Sequence, residues 1–170
     1  MQVRCNVVTL MLSLLVAITV VPQADATDLI LNRYRNPAAL CQGALPNYEG
    51  SFRKRPMAIA NEGSTSAFIT CSLESTNSVS YGQSYVSAAF VNRGTSTTNV
   101  SCTMVAGGTF TPAPIFFTKS INVGASGTGV IAWTQAEVGA RMGLASLSCN
   151  LPAAVEIGTI LDAYPFNIGA

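Results

Sequence analysis

The sequence predicts an all-β fold: an antiparallel β-sandwich, Ig-like or jelly-roll-like, of about eight or nine short strands with one or two short helices and two disulfides. Three observations predict it. Short runs rich in Val, Ile, Thr, Ser and aromatics recur along the chain, separated by Gly, Pro and Asn turn signals. Around three of the cysteines, apolar and polar residues alternate one for one, the period of a half-buried strand. Helix signals occur in only two short stretches.

The first 26 residues are set aside from the fold. Arg4 and the amino terminus precede an uncharged, largely apolar run from Val7 to Val21. Pro22 breaks the run, and Ala24-Asp25-Ala26 places small residues where a signal peptidase reads. Residues 1–26 therefore read as a secretory signal peptide, and the run falls short of the roughly 20 residues a membrane-spanning helix needs. Cys5 precedes the run, so it does not read as a lipid-attachment cysteine. Residues 27–170 are expected to form one disulfide-stapled domain, secreted or periplasmic, with no stable membrane span after cleavage.

Taken in order, Asp28 to Arg35 reads as an N-terminal strand. Asn36 to Gly43 reads as a two-turn helix with Asn as cap, Pro at its first position and Gly as its stop. Residues 44–55 read as a polar, turn-rich loop ending in Arg53-Lys54-Arg55. Strands are expected at 57–61, 67–74, 85–92, 99–105, 115–118, 120–123, 127–133, 145–151 and 155–160. Thr134 and Glu137 form a capping box for a second short helix, with Trp133 and Val138 as its hydrophobic staple, Glu137 and Arg141 at pairing distance and Gly143 as its stop. Gly139 weakens the interior of that helix. The sequence reads as having no internal repeat, linker or low-complexity tail.

Four cysteines remain after the signal: Cys41, Cys71, Cys102 and Cys149. An even number in an exported chain implies disulfides. The alternation puts Cys71, Cys102 and Cys149 on the apolar faces of their strands, so they are expected inside. Shortest loops favour Cys41–Cys71 and Cys102–Cys149. No C-x-x-C pair and no histidine occurs, so no metal site and no cofactor is expected.

The chain contains no histidine at all. That removes Ser-His-Asp and Cys-His catalysis and a histidine general base. No phosphate-binding glycine loop or calcium loop is present. No spacing selects two of Glu49, Glu62, Glu74, Glu137, Glu156 and Asp162 as a glycosidase pair. The chain reads as non-enzymatic, and its net charge of +1 argues against a nucleic-acid partner.

Candidate binding residues are therefore surface ones. Arg53, Lys54 and Arg55, with Arg33 and Arg35, form a candidate basic patch for an anionic glycan. Phe116 and Phe117 are adjacent in a Pro-rich apolar segment, and strand neighbours cannot both face one core. Tyr48, Tyr81 and Tyr85 are candidates to stack on sugars. Asn99-Val100-Ser101 is a glycosylation sequon, relevant in a eukaryotic host. The expected function is a binding or adhesion module that recognises a glycan, surface or protein through its loops. The alternatives are a surface-fibre subunit that lends a strand such as Asp28–Arg35, and a secreted inhibitor or toxin.

Overall fold

The computed structural model describes residues 27–73, 82–107, 113–139 and 142–168. Residues 1–26, expected from the sequence to be a signal peptide, lie outside them, as do Glu74, Tyr81 and Arg141. The described chain is all-β, with eleven strands and three one-turn helices. In order these are β1 (Thr27–Arg35), α1 (Pro37–Leu40), β2 (Cys41–Gly43), α2 (Pro46–Glu49), β3 (Phe52–Arg55), β4 (Ala58–Asn61) and β5 (Ala67–Ser72). They continue with β6 (Tyr85–Asn92), β7 (Thr98–Gly107), β8 (Ile115–Val123), β9 (Thr128–Thr134), α3 (Gln135–Val138), β10 (Leu144–Leu151) and β11 (Val155–Ile168).

The strands form two antiparallel sheets packed as a sandwich. Sheet A runs β3-β4-β11-β6-β9, and β1 also pairs with β11. Sheet B runs β2-β5-β10-β7-β8. Along one edge of β11, β4 takes Glu156 and Ile157, and β1 takes Ile160 to Ile168. The core lies between the sheets. Trp133, Phe90, Ile59 and Ile157 come from sheet A, and Ile69, Met104, Leu147 and Leu151 from sheet B, all fully buried. On one side the sandwich is closed by side chains: the Trp133 indole N–H donates to the Phe117 carbonyl (3.0 Å), and Lys119 Nζ donates to the Ala132 carbonyl (2.6 Å). The outermost strands β8 and β9 thus satisfy one another's backbone.

Several expectations are corrected. The helix expected over Asn36–Gly43 stops after one turn. Asn36 does cap it, accepting from the Ala38 N–H (2.9 Å), but Cys41 leaves the helix to pair with Cys71 across β2 and β5. The loop at 44–55 contains α2 and β3. The two short strands at 115–123 are one, and β11 runs eight residues beyond the expected 160. Gly139 is not interior to the last helix; it is the left-handed cap (φ 69°) that ends it, ahead of Gly143. The capping box itself is present, with Glu137 bonded to Thr134.

The structure also reveals an internal repeat. Asn61-Glu62-Gly63-Ser64-Thr65-Ser66 carries the chain from β4 in sheet A to β5 in sheet B. Asn92-Arg93-Gly94-Thr95-Ser96-Thr97 carries it from β6 to β7 in the same way. Each buried Asn accepts from the Gly two residues on (2.9 and 2.8 Å) and donates to the carbonyl four on (2.9 and 2.8 Å). Each also donates across the sandwich, Asn61 to Leu151 (2.7 Å) and Asn92 to Val123 (3.1 Å). In both copies a disulfide cysteine stands ten positions after the Asn, Cys71 and Cys102. The repeat is short and mostly hydroxyl residues, so it does not stand out by sequence similarity.

Both disulfides lie in sheet B, between positions directly opposed in the register: Cys41–Cys71 joins β2 to β5, and Cys102–Cys149 joins β7 to β10. All four cysteines are buried on the inner face.

Candidate binding face

Charge separates the two sheets. The five strands of sheet B contain one charged residue, Lys119, and it is turned inward to Ala132 and to Glu137 of α3. Among the described residues, the other ion pairs lie in sheet A and its turns.

The expected basic patch does not gather as one cluster. Arg33 and Arg35 face the interior of the sandwich from β1 and clamp the fully buried carboxylate of Asp162 on β11. Arg33 Nε donates to Oδ2 (2.8 Å), its Nη2 donates to the same oxygen, and Arg35 Nε donates to Oδ1 (2.9 Å). The Arg33 guanidinium also lies 4.4 Å over the Tyr164 ring. These two arginines hold β1 to β11. Arg53 and Arg55 project from one side of β3, Lys54 from the other. Both arginines reach Glu62 (3.6 and 2.9 Å). Arg53, Lys54 and Arg55 line, with Pro56 and Glu62, an open cleft of about 470 Å³. Glu62 and Arg93 occupy matching places in the two Asn-x-Gly turns, and Arg93 similarly bonds Glu156 (2.6 Å).

The outer face of sheet B is different in kind. Opposite each inward cysteine, leucine or methionine stands a hydroxyl or amide residue, and the register aligns them into rows across four strands. Thr70, Ser148, Thr103 and Thr118 form the central row. Ser72, Ser146, Val105 and Phe116 lie on one side of it, and Phe68, Asn150, Ser101 and Ser120 on the other. Asn99 and Asn122 extend the face along β7 and β8. Cross-strand bonds order it: the Thr103 and Thr118 hydroxyls are 2.8 Å apart, and Asn99 Nδ2 donates to Asn122 Oδ1 (2.8 Å). With strands about 4.8 Å apart, the four-strand width is about 14 Å, and rows repeat about every 6.6 Å along the strands.

Aromatic rings stand at opposite corners of this face. Phe68 packs against Tyr48 of α2, centroids 6.2 Å apart and tilted. Phe116, 64 % exposed, projects from the edge strand β8, while its neighbour Phe117 turns in and packs against the core. Tyr85 lies on sheet A, away from this face. Asn99 of the sequon is exposed at the end of the face. Tyr48 and Phe116 were thus candidates by sequence. The hydroxyl rows between them were not, although the signal was present: the polar positions alternating with the cysteines contain no Lys, Arg, Asp or Glu.

Behind β8, the Lys119–Glu137 contact sets a pH dependence. The Lys119 ammonium (2.7 Å), then the Thr134 backbone N–H (2.9 Å) and hydroxyl, hold the Glu137 carboxyl down from 4.5 to about 2. A carboxyl depressed in the folded state stabilises it above the unfolded value, and that contribution is lost as pH falls through the folded one. Thermal unfolding followed from pH 5 to pH 2 should therefore show a steeper decline for the natural chain than for Glu137→Gln between 4.5 and about 2. Parallel curves would mean the contact contributes nothing.

No protein-family model matches the sequence, and no curated protein is significantly similar to it. Among solved structures, the chain is similar to an exo-β-1,3-galactanase from Phanerochaete chrysosporium in complex with galactose, at 14 % identity and a TM-score of 0.42, over 78 % of this chain and 29 % of that one. The chain thus spans less than a third of the galactanase's length. It is similar to Bacillus endospore appendages, described as disulfide-linked pili, at 12 % and 0.35, over 86 % of this chain and 93 % of that one. It is also similar to a family 11 carbohydrate-binding module from Clostridium thermocellum in complex with a β-1,3-1,4-mixed-linked tetrasaccharide, at 12 % and 0.36, over 86 % and 90 %. At these values the likeness decides nothing about what this chain binds.

Proposed function

We propose that this chain is a non-enzymatic extracellular binding module that docks the outer face of sheet B against an uncharged, polyhydroxylated polymer such as a neutral polysaccharide. The carrying observation is the charge-free array centred on Thr70, Ser148, Thr103 and Thr118. The solvated face of an antiparallel sheet is ordinarily polar, and charged side chains are among the devices that keep sheet edges from aggregating. Here those positions offer hydroxyls and amides, each a donor and an acceptor, and no counter-charge for an ionic ligand. Phe68 and Phe116 supply apolar surface where a sugar ring can stack. The width of the face accommodates several sugar units side by side. Two disulfides directly beneath are consistent with an oxidising compartment. Among the described residues no helix is long and apolar enough to cross a membrane.

The test is retention of the oxidised protein on neutral and on anionic insoluble polysaccharides, at low and high salt. Retention on a neutral polymer, insensitive to salt, is expected. Thr103→Lys and Ser148→Lys should abolish it, because each seats an unpaired, strongly hydrated charge in the contact, while circular dichroism stays native. Arg53→Ala with Arg55→Ala should leave it unchanged. Salt-sensitive retention on the anionic polymer alone, lost with the arginines, would move the site to the cleft beside Glu62 and overturn the assignment.

A further inference from the structure

Among the described residues, β1 pairs with β11 and presents its other edge unpaired. An unpaired edge is a template for another strand, and soluble proteins blunt it with Lys, Pro, a bulge or inward-pointing charged residues. β1, Thr27 to Arg35, contains no Lys or Pro, and its register with β11 is unbroken over nine pairs. Its inward-pointing charges, Arg33 and Arg35, are neutralised by Asp162. Apolar side chains are left exposed on both faces of this ribbon: Leu29 and Leu31 on the inner side, Ile30 and Tyr34 on the outer. Ile30 is 57 % and Tyr34 75 % exposed.

We propose that this edge pairs with the same edge of a second copy, antiparallel about a two-fold axis at Ile30. The strand fits itself in that register. Ile30 faces its own counterpart, Leu29 faces Leu31 of the other copy, and Leu31 faces its Leu29. Apolar therefore meets apolar on both faces of the joined sheet, and the overlap runs from Thr27 to Arg33. No foreign strand is needed to explain the exposed residues. An isologous contact of this kind closes on itself, giving a dimer and not a fibre.

The geometry has a consequence for binding. A two-fold between antiparallel strands runs perpendicular to the sheet. It joins the two copies of sheet A edge to edge and leaves both copies of sheet B on the same side. Their uncharged outer faces then look the same way, as two sites engaging one surface would require. This last step rests on the proposed function; the pairing itself does not.

Sedimentation velocity of the oxidised protein over a concentration series tests the pairing directly. A concentration-dependent dimer is expected, and Ile30→Lys, which sets two like charges opposite each other, should weaken it by about tenfold or more. Tyr34→Ser lies outside the overlap and should leave it unchanged. Ile30→Cys supplies the geometric check: opposed β-carbons about 5 Å apart should cross-link the two copies under mild oxidation, whereas Tyr34→Cys should not. A monomer at all concentrations, with no cross-link through position 30, would overturn the pairing. A ladder of higher oligomers that persists in Ile30→Lys would overturn it as well, in favour of β1 exchanging between subunits. None of these readouts depends on a polysaccharide.

Discussion

Asp162→Ala is expected to lower the unfolding free energy by about 3–5 kcal/mol, read as a shift of the urea midpoint at unchanged slope. Its carboxylate is fully buried and bonded to two guanidinium groups that are themselves mostly covered, 25 % and 16 % exposed. Removing it takes away the buried carboxylate that Arg33 and Arg35 both bond from the inner face of β1. A loss of this size is a large share of the roughly 5–15 kcal/mol that stabilises an ordinary domain. Two further variants separate the broken pair from the lost volume. Arg33→Ala added to Asp162→Ala should cost far less than Arg33→Ala alone, because the charge it removes is already unpaired. Replacing all three by apolar residues (Asp162→Leu, Arg33→Met, Arg35→Met) should recover most of the stability, since packed hydrophobics replace buried ion groups at little net cost. Asp162→Ala within about 1 kcal/mol of the natural chain would show that solvent already screens the pair as it does an exposed one.

The same clamp shows where the sequence is legible. Period-two alternation places Cys71, Cys102 and Cys149 inside, because inward and outward positions on a strand are fixed by parity alone, and loop length, not parity, favours the observed pairing. Parity also marked one of Phe116 and Phe117 as external, and the Thr134–Glu137 box lay in local sequence. Arg33 and Arg35 were different. In one dimension they belong to a basic group with Arg53, Lys54 and Arg55. Their partner is 129 and 127 positions away, and the bulge at Gly158 shifts β11 so that Asp162 points inward. A bulge of one residue reverses the facing of everything after it. The helix at Asn36 had correct signals for its start, but tertiary pairing of Cys41 overrode its expected end. The repeated Asn-x-Gly turns were hidden because their identity lies in hydrogen bonding, with few residues shared. The hydroxyl face needed the register between strands: only when Thr70, Ser148, Thr103 and Thr118 stand in one row does the absence of charge become a surface property.

Removing the Cys102–Cys149 bridge by a double change to Ala should cost about 4 kcal/mol on the chain-entropy model, and more than removing Cys41–Cys71. The first closes 47 residues of chain and joins two interior strands of sheet B; the second closes 30 and ties down the short edge strand β2. Urea unfolding of the two double variants measures the order, and a difference no larger than the roughly 0.4 kcal/mol that loop length alone gives would mean that position in the sheet adds nothing. The effect on binding should be of another kind. Cys102 and Cys149 are flanked by Ser101, Thr103, Ser148 and Asn150, so the bridge lies directly under the proposed contact. Yet the register of β7 against β10 is also held by inward Met104 and Leu147, and a slip of one residue would turn Ser101 and Thr103 inward and Val100 and Met104 outward. The apolar core therefore penalises that slip with or without the bridge. A disulfide acts mainly by restricting the unfolded chain. Below the unfolding midpoint, the bridge-less protein should accordingly retain its polysaccharide binding per folded molecule. Loss of binding with native circular dichroism would instead assign the bridge to the geometry of the face.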